Sequence, residues 1–358
     1  MSNSRLLEYR AGPTARRLIQ DRGLTPSLIR TFVAPASGPK WLVLAGLDRA
    51  MMDSDLLGRQ SGNERRVLLV GASAGGWRVM AMASSDPVRV HRLLQERYVN
   101  QVFRRGVKPS EVTAAYRRML NEVFIEAERT AIVESTRFDV AVHVTLARGA
   151  AGSRQRWLQA LAMVAAAGCN VLTAKSMMLF FKRILFHSRP QDWELPFEGT
   201  VVKLDQGNLS EVALATGSVP LYFDPVADIA EAPPGHCIDG GMRDYHLNQK
   251  YVDSDDGIVV FPHFQRRIVP HWFDRYTSHR VPAADMTDNV LQIHPSEAFV
   301  QSLPGGRIPT RDDFKIFVDD SQERIRRWNQ VIDAGQRLGD QLIEDIERGC
   351  IPDLIELF

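Results

Sequence analysis

A serine stands at the centre of a Gly-x-Ser-x-Gly pattern, in which Gly71 and Gly75 flank Ser73. The apolar residues 67–70 before it are typical of a buried strand, and residues 77–84 after it are predicted to be helical. A serine on such a sharp strand-to-helix turn projects its hydroxyl beyond the sheet, and the helix N–H groups favour developing negative charge. The pattern therefore predicts a nucleophilic serine. The alternative interpretation is a glycine-rich turn with an incidental serine.

A second candidate lies far along the chain, where Asp239 is followed by Gly240 and Gly241. By itself, an aspartate followed by two glycines is typical of a plain tight turn. Beside an activated serine, a carboxylate on such a turn could act as a general base, because glycines allow the chain to approach closely. Asp239 is therefore the candidate base for Ser73.

These two motifs and the residues between them resemble the patatin-like phospholipase family. That family pairs an early Gly-x-Ser-x-Gly serine with a late Asp-Gly-Gly or Asp-Gly-Ala, and carries an Ala/Ser-x-x-Pro-x-x-Phe-x-Pro stretch shortly before the aspartate. Residues 218–225, Ser-Val-Pro-Leu-Tyr-Phe-Asp-Pro, are similar to that stretch. The resemblance implies a three-layer α/β/α fold with a mainly parallel sheet, and a catalytic dyad of Ser73 and Asp239. It also implies hydrolysis of lipid acyl esters through an acyl-enzyme.

The family also carries a glycine-rich loop, Gly-Gly-Gly-x-Arg/Lys-Gly, between its first strand and a helix. Here residues 36–41 read Ala-Ser-Gly-Pro-Lys-Trp, which keeps one glycine, Gly38, and the basic residue. Pro39 has no N–H to donate. The resemblance therefore implies an oxyanion hole formed by the N–H groups of Gly38 and Ala74. Three further residues are candidates for lining the site: Lys40, Pro220 and His236.

The chain departs from the family after the Asp-Gly-Gly motif, where an Asn and a Pro are usual, and this departure allows a rival interpretation. The order Ser, Asp, His is also that of α/β-hydrolase triads. Among the histidines after Asp239, four are candidates to complete a triad, whereas His143 lies in a predicted strand and is expected in the core. The four are His246, His263, His271 and His279. Two more interpretations stay open: acyl transfer on the same residues, and an inactive lipid-binding or interaction protein on the same fold.

Strands alternate with helices along the chain, which predicts an α/β fold with a mainly parallel sheet. The predicted strands are residues 29–34, 67–70, 139–147, 201–204, 257–261 and 290–293. The predicted helices are residues 40–52, 77–84, 87–99, 109–135, 155–187, 210–216 and 312–347, with Gly339 a weak point in the last. We expect residues 1–310 to form the hydrolase domain and residues 311–358 a helical extension packed on it.

Composition restricts the remaining classes of function. Of the 358 residues, 44% are hydrophobic and 24% are charged, as in ordinary globular proteins. There are 44 Lys and Arg against 43 Asp and Glu, which gives no overall basic field for nucleic acid. The three scattered cysteines have neither disulfide-framework nor metal-site spacing. We therefore predict no metal, no cofactor and no nucleic-acid partner, and the sequence indicates no protein partner.

Two segments bear on location. The first residues lack the apolar core of a secretory signal, and polar residues interrupt the apolar segment 157–174, so we expect a cytoplasmic protein. Residues 176–187 are rich in Met, Phe and Leu around the basic pair Lys182 and Arg183. We predict that this segment is helical. It either packs in the core or makes transient contact with an anionic membrane surface.

Overall fold

The computed structural model describes residues 5–58, 66–192, 197–247, 249–253, 255 and 257–358. In these residues the chain folds as a mixed α/β structure around one mostly parallel sheet, which confirms the predicted fold class. The strands are β1 (Leu7–Ala11), β2 (Ile29–Ala34), β3 (Val67–Ala72), β4 (Phe138–Ala147), β5 (Phe181–His187), β6 (Thr200–Lys203), β7 (Val226–Ala227), β8 (His236–Asp239), β9 (Ile258–Pro262), β10 (Val290–Pro295) and β11 (Ile355–Leu357).

Helices connect and cover these strands. They are α1 (Pro13–Arg22), α2 (Ala45–Asp53), α3 (Ala74–Met82), α4 (Pro87–Val99), α5 (Pro109–Val123), α6 (Glu126–Val133), α7 (Arg156–Leu172), α8 (Met177–Phe180), α9 (Leu209–Thr216), α10 (Ala284–Thr287), α11 (Glu297–Gln301), α12 (Asp313–Ile316), α13 (Ser321–Glu347) and α14 (Ile351–Leu354). A 3-10 turn, Gly38–Leu44, leads into α2.

The order of strands across the sheet is β11-β1-β10-β9-β2-β3-β4-β5-β6, and β8 joins it on β4 with β7 at its other side. The strands β9, β2, β3 and β4 at the centre run parallel. β8 pairs antiparallel with the last residues of β4. The carboxyl ends of the central strands therefore meet β8 at one edge, where ligands bind in such sheets.

Alternate side chains of the central strands point to opposite faces of the sheet, where they join two separate apolar clusters. In β3, Val67 and Leu69 join the larger apolar cluster, which includes residues of α2, α3, α4 and α5. Val70 and Ala72 point to the opposite face and pack with residues such as Tyr251. A strand buried on both faces reads as a continuous apolar run, which is why the sequence predicts it well.

The long helix α13 crosses α2 at three glycines. A Cβ atom on Gly335 would overlap the carbonyl oxygen of Val43, and one on Gly46 would lie 2.5 Å from the carbonyl oxygen of Gly335. Gly339 lies against Gly46 in the same crossing and continues the helix unbroken, contrary to its predicted weakness. The close contact holds the 3-10 turn against the C-terminal region.

The prediction of helical segments over residues 155–187 is wrong from Phe181 onwards. Residues 181–187 form β5, whose central and final side chains are buried between β4 and β6. Short apolar runs do not distinguish a buried strand from a buried helix. Arg183 pairs with Asp244 at 2.8 Å and with Glu198 at 3.1 Å, so it is not the free cation that the membrane-contact alternative for this segment requires.

The predicted helix 109–135 is also divided, into α5 and α6. The strands β1 and β11 were not predicted, because each is short and lies near an end of the chain. β1 pairs antiparallel with β10, and β11 pairs parallel with β1.

A fully buried ion pair links the helices around the edge of the sheet. Arg78 of α3 donates to both carboxylate oxygens of Asp48 on α2, at 2.7 and 2.6 Å. His91 of α4 lies 3.2 Å from the same carboxylate. The Arg78 cation lowers the pKa of Asp48 to about 2, against the opposing effect of burial.

Replacing Asp48 tests this pair. Asp48→Ala should lower the free energy of unfolding by about 3–5 kcal/mol, because it leaves the Arg78 cation buried without its partner. Urea unfolding followed by circular dichroism measures the change. Glu344→Ala, which breaks the exposed pair with Arg348, is the control and should cost less than about 1 kcal/mol. Equal losses in the two variants would contradict the assignment.

Candidate active site

The pairing along β4 brings the two motif residues together. The last residue of β3, Ala72, pairs with His143 of β4, and the next residue of β4, Val144, pairs with Asp239 at the end of β8. Ser73 follows Ala72 directly, so the turn after β3 meets the end of β8. Ser73 Oγ donates to Asp239 Oδ2 at 2.7 Å.

The backbone of Ser73 is strained, with φ +55° and ψ −132°, where residues other than glycine are uncommon. Two hydrogen bonds hold this conformation. The Ser73 N–H donates to Thr216 Oγ1 at 2.8 Å, and Thr216 Oγ1 donates to the His143 carbonyl oxygen at 2.7 Å. The network therefore fixes the serine against both α9 and β4. Strain held by surrounding structure is typical of functional sites.

The glycines of the serine motif are required by close packing. A Cβ on Gly75 would overlap the carbonyl oxygen of Ala34, at the end of β2. A Cβ on Gly71 would lie 2.5 Å from the carbonyl oxygen of Gly75. Side chains at these positions would push α3 away from the sheet and move Ser73 with it.

The glycines after Asp239 are also required by close packing. A Cβ on Gly240 would overlap the His143 carbonyl oxygen, so the turn packs directly on β4. The Gly241 N–H donates to Asp239 Oδ1 at 2.7 Å and occupies the second carboxylate oxygen. The Asp239 N–H donates to the Ser218 carbonyl oxygen at 2.9 Å. Ser218, the first residue of the 218–225 stretch, thus fixes the backbone of Asp239.

Burial controls the charge of Asp239, which is 5% exposed. It raises the pKa of this carboxyl from 3.8 to about 6. Hydrogen bonds from Ser73 and Gly241 and the positive charge of Arg311 act in the opposite direction but do not cancel it. The carboxylate is therefore a stronger base than an exposed aspartate and is still mostly ionised near neutral pH.

A cavity of about 450 Å³ opens in front of Ser73. This volume lies in the range of small-molecule sites. The apolar part of its wall is mainly aromatic, and the polar part includes five basic residues and, among the described residues, no acidic one. The aromatic residues are Trp77, Tyr98, Phe103, Tyr116, Tyr222, Phe223 and Phe314, and the basic ones are Arg104, Arg105, Arg156, Arg311 and Lys315.

Gly38 and Ala74 both line this cavity beside Ser73. Gly38 begins the 3-10 turn with φ +52°, a left-handed conformation that favours glycine, and Ala74 is the first residue of α3. Within the described ranges, neither N–H donates to a protein acceptor. Both donors are thus available to a group bound next to the serine.

The three residues predicted to line the site lie elsewhere. The Lys40 ammonium lies 3.4 Å from the Tyr245 hydroxyl and 4.5 Å from the centre of the Phe264 ring, so these rings hold it away from the cavity. His236 is the first residue of β8, and its Cβ is packed near Gly152. Pro220 is buried behind Val219 and Leu221, which line the cavity in its place.

The candidate triad histidines have different partners. None of the described ones is hydrogen-bonded to Ser73 or Asp239. His246 Nδ1 accepts from the Val269 N–H at 2.8 Å, and His271 Nδ1 lies 2.5 Å from the Arg243 carbonyl oxygen. His263 Nδ1 lies 2.6 Å from the Gln265 carbonyl oxygen, and His279 is exposed. His143 is buried in β4, as its position in a strand predicts.

Several residues of the site carry no signal in the sequence and were not predicted. Thr216 belongs to no motif, and its role as acceptor for the Ser73 N–H depends on the packing of α9 against β4. Arg311 lies 238 positions after the serine, yet its side chain reaches Gly38, with Cγ 3.6 Å from where a glycine Cβ would stand. The aromatic residues of the cavity belong to separate helices and loops, and no local pattern marks them.

The described residues contain no group of three or more His, Cys, Asp or Glu side chains that could hold a metal ion. In the same part of the chain, no helix combines the length and apolar character that crossing a membrane requires.

Comparison with solved structures finds distant similarity. Human GIVD cytosolic phospholipase A2 is similar at 10% identity and a TM-score of 0.43, over 95% of this chain and 62% of that one. VipD from Legionella pneumophila is similar at 13% identity and a TM-score of 0.35, over 78% of this chain and 57% of that one. The chain thus spans less than two thirds of either protein. No curated protein matches it.

A family model also matches the chain. The model described as patatin-like phospholipase matches residues 42–246. The matched part is more than half of the chain and includes both Ser73 and Asp239. The chain belongs to the patatin-like phospholipase family.

Proposed function

We propose that the protein is a serine hydrolase of lipid acyl esters, in which Ser73 is the nucleophile and Asp239 the general base. The hydrogen bond of 2.7 Å between Ser73 Oγ and Asp239 Oδ2 carries this proposal. Ser73 lines the cavity, whereas Asp239 is buried behind it, so a bound ester meets the hydroxyl and not the carboxylate. Family membership supports a lipid substrate.

Acylation begins when Ser73 Oγ attacks the ester carbonyl carbon and Asp239 accepts the hydroxyl proton. The N–H groups of Gly38 and Ala74 then stabilise the oxyanion, and one such donor is typically worth about 10²–10³ in rate. Collapse of the intermediate breaks the ester bond. The alcohol leaves with the proton from Asp239, and the acyl group stays on Ser73.

Deacylation repeats these steps with water. Asp239 accepts a proton from a water molecule as the water attacks the acyl-serine carbonyl carbon. The second oxyanion collapses, the fatty acid leaves, and the proton on Asp239 returns to Ser73 Oγ. No metal or cofactor is needed for either half of this scheme.

The cavity suits an amphiphilic ester with a negative charge near the reacting carbonyl. Its aromatic wall can bury an acyl chain. Arg311 lies beside Gly38, and among the described carboxylates none is within ion-pair distance of its guanidinium. The Arg311 guanidinium carbon lies 5.2 Å from the centre of the Tyr222 ring. A half-buried guanidinium without a carboxylate partner favours binding of a phosphate or carboxylate group. We therefore propose that acyl esters with an anionic head group are preferred.

Removal of either dyad residue tests the proposed mechanism. Ser73→Ala and Asp239→Asn should each lower kcat for a lysophospholipid by about 10⁴-fold or more, because the nucleophile or its base is lost. Ser73→Ala should also abolish covalent labelling by a fluorophosphonate. Ser84→Ala, a buried serine at the end of α3, is the matched control and should retain activity. If a folded Ser73→Ala variant kept most of its activity, another nucleophile would have to be sought.

The raised pKa of Asp239 predicts how activity depends on pH. Below about pH 6 the carboxyl is protonated and cannot accept the serine proton, so kcat/KM should fall about tenfold for each further pH unit. A pH–rate profile on a neutral nitrophenyl ester measures this limb. A profile that stays flat down to pH 4 would mean that Asp239 is not the base.

The same pKa predicts an effect on stability. The folded pKa of Asp239 lies above its value in the unfolded chain, so stability is lost as pH rises from about 4 to 6. Asp239→Asn removes this loss and should be more stable than wild type by up to about 3 kcal/mol above pH 6, with no gain at pH 4. Urea unfolding at the two pH values measures the difference. A variant that is destabilised at both pH values would contradict the burial argument.

Arg311 should select for the anionic head group. Arg311→Met should raise KM for a lysophosphatidylglycerol about tenfold or more, and leave KM for a monoacylglycerol of the same chain length unchanged. It should also move the acidic limb of the pH profile to higher pH, because the Arg311 charge lowers the pKa of Asp239. Arg92→Met, on the exposed side of α4, is the control. An equal change in KM for both esters would remove Arg311 from head-group recognition.

A further inference from the structure

The helix α7 presents its large apolar side chains outward. Five of them are between 60% and 85% exposed: four lie along one side of the helix at spacings of four, three and seven residues, and the fifth adjoins the last of these. These residues, here named the α7 stripe, are Trp157, Leu161, Val164, Val171 and Leu172. Gly168 lies on the same side, with no atom within 4 Å of where its Cβ would stand. A surface helix normally turns such a stripe to the core.

The inner side of α7 carries small and polar residues instead. Its buried positions are Gln159, Ala162, Met163, Ala166 and Asn170. Gln159 Oε1 accepts from the Leu221 N–H at 2.7 Å, and Asn170 Nδ2 donates to Asp274 Oδ1 at 2.8 Å. These two bonds, 11 residues apart, fix the rotation of the helix. The stripe therefore faces outward because of specific contacts at both ends.

Along the chain, the charged residues before and after α7 have one sign. Residues 157–174 contain no charged side chain, so the helix has no polar face for water or for ion pairs with a partner helix. Residues 140–191 contain no Asp or Glu but seven Lys and Arg. Arg154 and Arg156 lie at the start of the helix, and Lys175 follows its end. An apolar helix whose charged neighbours along the chain are all cations complements an anionic lipid surface.

The α7 stripe is continuous with the cavity. Arg156, the first residue of α7, lines the cavity, and exposed Trp157 is the next residue. Leu221, which lines the cavity, is held by Gln159 of the same helix. Beyond the far end of α7, Tyr276 is 88% exposed on the segment that Asp274 attaches to Asn170.

We propose that α7 is the surface on which the protein docks to an anionic lipid bilayer. The helix lies in the plane of the interface with its stripe among the acyl chains, while Arg154, Arg156 and Lys175 meet the head groups. Its 17 residues span about 26 Å, less than the roughly 30 Å of a hydrocarbon core, and its inner side is bonded to the protein. This docking would place the opening of the cavity at the bilayer surface, from which an acyl ester could enter.

The proposed membrane contact is thus α7 and not β5. In β5, Ile184, Leu185 and Phe186 are buried and cannot enter lipid. A helix from a second copy of the chain is the competing occupant of the stripe, because the spacing resembles a coiled-coil seam. Such seams are usually flanked by charged residues that pair across the interface, and α7 has none after Arg156.

Binding to vesicles tests the stripe. We expect the Ser73→Ala variant to cosediment with vesicles of phosphatidylcholine and phosphatidylglycerol, and more weakly with phosphatidylcholine alone. Adding Leu161→Glu and Val164→Glu should weaken the binding by about tenfold or more. The matched control adds two acids at half-exposed apolar positions elsewhere, Ile125→Glu and Leu357→Glu, and should bind as the parent does. The Ser73→Ala background prevents turnover, so the result is independent of the proposed hydrolysis.

The cations are tested separately. Arg154→Glu with Lys175→Glu should lower binding to the anionic vesicles about thirtyfold or more, because each cation near such a surface is worth about 1 kcal/mol. Arg22→Glu with Arg92→Glu makes the same change of charge on separate helices and should have little effect. Equal losses in the two double variants would show only an effect of net charge and would overturn the assignment of these cations.

Tryptophan fluorescence gives a readout at the stripe itself. Trp157 is 62% exposed in the free protein, so its emission should shift to shorter wavelength on vesicle binding and be quenched by spin-labelled acyl chains. Trp157→Phe should lose this response while it still binds. The proposal is overturned if the stripe variant binds vesicles as the control does. It is also overturned if, without lipid, the Ser73→Ala parent is a dimer and the stripe variant is a monomer.

Discussion

One edge of β4 determines the geometry of the whole site. Two strands of opposite direction share that edge end to end: β3 pairs with it as far as His143, and β8 continues from Val144. The residue after β3 and the last residue of β8 must therefore meet. The two motifs lie 166 positions apart, and this pairing brings them within one hydrogen bond. The contact depends on register, since a shift of one residue would turn Asp239 to the opposite face.

The same edge explains the glycines and the buried carboxylate. The turns after β3 and β8 approach the backbone so closely that Gly75 and Gly240 have no room for a Cβ atom. A positive φ at Ser73 and the burial of Asp239 are both unfavourable for the free energy of folding. Contacts around the site, such as the Thr216 bridge and the buried pair of Arg78 with Asp48, offset them. The chain thus keeps a strained serine and a basic carboxylate in one rigid place.

The sequence predicts the parts of this arrangement that have local causes. The glycines beside Ser73 and Asp239 are required by close backbone contacts, so both motifs could be inferred. Buried parallel strands appear as continuous apolar runs, so the fold class could be inferred as well. Contacts between residues that are far apart in the chain could not be predicted from the sequence. β5 was predicted as helix because its apolar residues fit either element, and Arg311 reaches the cavity only through the path of the C-terminal region. Lys40 keeps the motif position, yet aromatic neighbours turn it away.

The orientation of α7 could not be predicted from the spacing of its apolar residues. Large apolar and small residues alternate around this helix, and a sequence pattern alone assigns the large ones to the core. Two buried amides decide otherwise, because Gln159 and Asn170 satisfy backbone and carboxylate partners that exist only in the folded chain. An unpaired buried amide would cost about 1–3 kcal/mol, which is comparable to burying one of the exposed leucines. Both amides together hold the helix with its apolar side to the outside. The helix that lines the cavity with Arg156 is thereby also the helix with the most apolar exposed face among the described residues.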